Sequence, residues 1–96
     1  MMKPEEFQDK VKKTLENPEF KELINKIVKD ASDLMENIYQ ARILANEGKP
    51  LEMTLCERNK NLIEYELKNA HLIMISVIDY MLTVKLLIEK HEKEKQ

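Results

Sequence analysis

Apolar residues recur along this chain in two long series. Phe20, Ile24, Ile27, Ala31, Leu34, Ile38, Ala41 and Ala45 stand alternately four and three apart. Ile63, Leu67, Ala70, Met74, Val77, Met81, Val84 and Ile88 do the same. This alternation keeps one stripe on one face of a helix, and it is the seam pattern of coiled coils. Phe7, Val11 and Leu15 form a shorter stripe ahead of them. The pattern predicts an all-α fold in a single domain, 1–96, with helices at about 4–16, 18–46 and 51–92.

The residues between the stripes supply starts and stops. Pro4 followed by Glu5 and Glu6 suits a helix N-terminus, and so does Asn17 before Pro18. The residue before a proline disfavours helical geometry, so the chain breaks or kinks at Asn17. In "NEGKP", Gly48 suits the left-handed residue that ends a helix, and Pro50 suits a new first turn. Thr54 and Glu57 offer a second start through a reciprocal cap.

A short connection here predicts a long antiparallel hairpin with a kinked first arm. Turning near Gly48, residue i would face roughly residue 96 minus i. Leu34 then lies near Leu62 and Phe20 near Ser76. The chain beyond Asp79 would project another three turns, roughly 20 Å, past the second helix. The first helix either continues along that line and covers it, or folds back as a third member of a bundle.

The last helix contains "HLIMISVIDYMLTVKLLIEK", His71 to Lys90. Leu72, Ile75, Ile78, Leu82 and Leu86 fall outside its first seam, so the helix is apolar on most of its circumference. Such a helix is buried on most sides or spans a membrane. Ser76, Asp79, Thr83 and Lys85 interrupt a span. One central Asp costs about 2.5–3.5 kcal/mol on insertion, against about 0.3–0.6 returned by each large aliphatic. The sum is near zero, and membrane insertion is not expected. A second copy is the expected cover, giving a homodimeric helical bundle. The expected interface is Leu72, Ile75, Ile78, Asp79, Leu82, Lys85 and Leu86, with Asp79 and Lys85 fixing register.

Composition narrows the function classes. One Gly and three Pro in 96 residues leave little turn material for a sheet. The net charge is −2, and residues 1–30 mix seven Lys with seven acids. Lys10, Lys12, Lys13, Lys21, Lys26 and Lys29 are the residues a nucleic-acid regulator would use. With acids interspersed they make no basic block, so nucleic acid is not expected as a partner. A lone Cys56 excludes a disulfide framework, and the first residues lack the apolar run of a signal peptide. A cytoplasmic protein is expected.

Candidate chemistry is sparse. Glu57, Glu64 and His71 share one helix face, but at steps of about 10 Å they cannot meet at one ion. The Glu-x-x-His pair of di-iron bundles is absent: Lys68 precedes His71 and Ile88 precedes His91. Asp30, Asp33 and Glu36 form an acidic helix face that resembles one half of the magnesium site of all-α nucleotide hydrolases. No facing Glu-x-x-Asp completes it on the long helix. Arg42 and Arg58 are too few to hold a dianionic substrate, and there is no glycine-rich loop. Cys56 has no nearby His to activate it. No catalytic, cofactor or metal residue is assigned. The expected function is a non-enzymatic helical interaction protein, a homo-oligomeric adaptor or a small subunit joined to another protein. A nucleic-acid-associated regulator and a nucleotide hydrolase using the acidic face are the alternatives.

Overall fold

A computed structural model describes residues 3–51 and 61–95. Among them lie three helices and no strand: α1 (Pro4–Glu16), α2 (Pro18–Ala45) and α3 (Leu62–Glu94). The fold is all-α, with α2 and α3 packed antiparallel, as the two apolar series require. The expected start of the third helix at Pro50 is corrected, because Pro50 and Leu51 are not helical. Thr54, Cys56, Glu57 and Arg58 lie outside the described residues.

Each helix end has a physical cause. The Glu6 carboxylate accepts from the Lys3 backbone N–H at 3.4 Å, and Pro4 fills the first turn where no donor is needed. Asn17 is extended, with φ −71° and ψ 118°, as a residue before proline should be. Its Oδ1 then accepts from the Glu19 and Phe20 amides at 2.9 and 3.3 Å and caps α2. α2 ends in two left-handed residues, Glu47 at φ 55° and Gly48 at φ 77°. The Gly48 amide reaches back to the Ile43 carbonyl at 2.9 Å, so Glu47 takes the left-handed position expected of Gly48.

α3 begins at a cap the sequence reading did not use. Asn61 Oδ1 accepts from the Glu64 amide at 3.1 Å. Its Nδ2 donates to the Ala45 carbonyl at 2.8 Å. One side chain thus closes the end of α2 and the start of α3.

The chain divides into two compact units. The first comprises residues 1–29 and 80–96, and the second residues 30–79. In the first, Ile24 and Ile88 are the buried apolar side chains, each contributing roughly 1.5–3 kcal/mol. Lys21 pairs with Glu92 at 2.6 Å across them. Glu16, at the end of α1, accepts from Lys95 at 2.7 Å and from His91 at 3.1 Å. In the second unit the sole buried apolar residue among the described residues is Ala31; the other buried ones are Arg42, Glu64, Lys68 and His71, with Ile38, Leu67, Met74 and Ile78 half-buried.

These pairs correct the expected register. Arg42 meets Glu64 and His71, and Lys21 meets Glu92. Facing residues are displaced by 10 to 17 positions, or about three to five turns, from the expected pairing of residue i with residue 96 minus i. The cause is the late start of α3, which follows a connection of residues 46–61 rather than a tight turn at Gly48. The end of α3 therefore lies beside the start of α2 and does not project past it. α1 reaches the end of α3 at Glu16, through His91 and Lys95. None of its residues is buried, and Phe7 and Val11 stay exposed over a shallow groove of about 350 Å³.

Candidate functional site

The interior of the second unit is a charged cluster. Arg42 is fully buried, and Glu64, Lys68 and His71 are nearly so. The α3 members stand four and three apart, a helical stripe shifted one residue from the apolar series. On α2 the inner positions likewise slide from Ala41 to Arg42, and Ile27 and Leu34 turn outward in favour of Val28 and Met35. Ile63, the first residue of the predicted α3 seam, is exposed.

Arg42 organises the cluster. Its Nε and Nη2 donate to Glu64 Oε1 at 3.0 and 2.5 Å. Its Nη1 lies 3.0 Å from His71 Nδ1. A guanidinium can only donate, so Nδ1 accepts and the His71 proton sits on Nε2. Burial, then the neighbouring Arg42 charge, push the His71 pKa below its ordinary value, and Glu64 opposes them. The Tyr39 ring stands edge-on to the imidazole at 6.0 Å. The sequence placed Glu64 and His71 on one face one heptad apart, and that spacing is observed. It did not reveal Arg42 between them.

This arrangement holds charge without presenting it. A guanidinium with no exposed surface cannot meet a substrate anion. Among the described residues no three His, Cys, Asp or Glu side chains converge to hold a metal ion. The acidic positions Asp30, Asp33 and Glu36 are exposed on α2, and Glu36 accepts from Gln40 at 2.9 Å.

The other candidate is the outer surface of α3. Of the predicted interface residues, Leu72, Ile75, Asp79, Leu82 and Leu86 are exposed. Ile78 and Lys85 are half-buried, and Lys85 lines a groove of about 490 Å³ with Lys21, Asn25 and Glu89 in the first unit. Lys85 thus belongs to the inner side of α3. A second exposed set went unnamed in the sequence reading: Ile73, Tyr80 and Leu87, each one heptad from the next. Val77 and Val84 lie between them, so this set also follows the 4-3 rule. Counting from the sequence at 100° per residue could have found it.

α3 therefore carries three 4-3 strips: an inner one, one that is half-buried at Val77 and Val84, and one whose members are all exposed. Its most apolar 18-residue window has a mean hydropathy of 1.8, enough by length and composition to cross a membrane, and 11% of that window is buried. Comparison with protein-family models, with curated proteins and with solved structures finds no match.

Proposed function

We propose that this chain is a non-enzymatic helical interaction protein that works as a homo-oligomer, as an adaptor or as a small subunit of a larger assembly. One observation carries the reading: Ile73, Ile75, Tyr80, Leu82, Leu86 and Leu87 stand exposed along α3. A soluble monomer rarely leaves large apolar side chains open in contiguous strips.

Sedimentation of the unmodified chain in detergent-free buffer tests this. The expected result is a dimer or larger species at tens of micromolar. A clean 11.4 kDa monomer overturns the reading. A second reading rests on the hydropathy of α3, which suits a single membrane span. A chain that stays dispersed only in detergent and partitions into vesicles would establish that reading instead.

A further inference from the structure

Of the two outer strips on α3, we infer that Ile73, Val77, Tyr80, Val84 and Leu87 dock a second copy of this chain, helix antiparallel to helix. The inference rests on the self-association proposed above and assigns the face and the direction. The strips differ in charge. Leu72, Ile75, Asp79, Leu82 and Leu86 contain a carboxylate at the centre. A two-fold interface duplicates whatever it contains, so closing that strip would bury two Asp79 carboxylates close to the axis. The strip through Tyr80 contains no charged group. Its three largest members stand open, Ile73 63%, Tyr80 70% and Leu87 50% exposed, with Val77 and Val84 half-buried at its inner edge.

Direction follows from side-chain size. In antiparallel packing each layer pairs the two kinds of seam position, those followed by a step of four and those followed by a step of three. One register matches the strip to itself throughout. It sets Ile73 against the second copy's Val84, Val77 against its Tyr80, and Ala70 against its Leu87. Large then meets small in the outer pair, as interdigitating layers require, and no polar residue enters any layer. The Tyr80 ring offers large apolar area, and its hydroxyl can stay at the wet edge. Asn69, Ser76, Thr83 and Lys90 form a polar line one heptad apart along the outside of α3, separating this strip from the one through Asp79.

Cysteine pairing tests face and direction together. Every variant carries Cys56→Ser, so that introduced thiols are the only ones. Ile73→Cys and Val84→Cys are prepared as separate proteins and oxidised alone and mixed. Residues 73 and 84 lie about 16 Å apart along one helix, beyond disulfide reach within a chain. The expected result is a covalent dimer in the mixture and none from either protein alone. Dimers from Ile73→Cys alone would mean parallel docking and overturn the inference. Leu72→Cys mixed with Leu82→Cys forms the matching pair on the other strip. If only that mixture cross-links, the face assigned here is wrong while self-association stands. If the unmodified chain sediments as a monomer, both readings fall. Helical circular dichroism of each variant confirms that the substitutions, Val84→Cys at a half-buried position included, leave the fold in place.

Discussion

Arg42 donates from two nitrogens to a single oxygen of Glu64, and the other oxygen, Oε2, is buried without a hydrogen-bond partner. A fork-to-fork pair would have satisfied both oxygens. Arg42 is turned from that geometry because its third nitrogen is directed to His71.

Removing one charge should therefore be costly and removing both much less so. Arg42→Ala or Glu64→Ala strands a buried charge and is expected to cost about 3–5 kcal/mol. Arg42→Met combined with Glu64→Leu should cost far less than the sum, because neither member of the pair is left without the other. Urea denaturation at fixed protein concentration measures both. Additive effects would show that the pair is not coupled.

His71 gives a pH dependence with a definite sign. Its folded pKa lies below the ordinary 6.5, so the unfolded chain takes up the proton first. The His71 contribution is fully present above 6.5. It is lost as pH falls below 6.5 and levels off once the folded state is protonated too. His71→Gln should flatten the stability profile between pH 5 and 7 relative to the unmodified chain. An unchanged slope would contradict the assignment.

In the first unit the carboxylate of Glu16 is held at about 2 by hydrogen bonds from Lys95 and then His91. Depressed carboxylates contribute stability above their ordinary pKa, here 4.5, and lose it as pH falls toward 2. Carboxyl-resolved NMR titration should show Glu16 ionised well below pH 4.5. Lys95→Ala should move its midpoint up toward 4.5.

Asn61 should prove a costly surface-type residue to lose. Asn61→Ala removes the α3 cap and the donor to Ala45, for an expected loss of about 1.5–3 kcal/mol. Asn61→Asp keeps the acceptor for the Glu64 amide and loses the donor, so it should cost less. Thermal unfolding of the two variants separates the roles.

The left-handed Glu47 marks a place for improvement. Glu47→Gly relieves a backbone conformation that side chains disfavour and should stabilise by up to about 1 kcal/mol. Gly48→Ala should destabilise by about 1–2 kcal/mol through conformation alone, since no atom lies within 4 Å of an added Cβ. Equal stability of both variants would argue against the turn geometry.

The helices were legible because apolar periodicity and the Pro and Asn punctuation agree. Pro4, Asn17 and Pro18 fall where the signals put them. Register was not legible, because it depends on how much chain separates Ala45 from Asn61, and "NEGKP" reads equally well as a tight turn. The polar interior was hidden for a different reason. Glu64, Lys68 and His71 carry the same 4-3 spacing as Ile63, Leu67 and Ala70 one residue earlier. A reading that assigns apolar residues inward selects the second frame. The first wins in the fold because Arg42 on α2 supplies the donors that Glu64 and His71 accept. Only a pairing between distant helices could have shown that, and no local pattern records it.

That interior gives the second unit an uncommon calorimetric signature. Exposing apolar surface raises the heat capacity, about +0.45 cal/K/mol/Å², and exposing polar surface lowers it, about −0.26. The first unit, built on Ile24 and Ile88, has the ordinary sign. In the second, unfolding frees an arginine, a glutamate, a lysine and a histidine, whose hydration offsets part of that increment. Its stability curve should be flatter with temperature, and it should resist cooling better than its few buried methyl groups suggest.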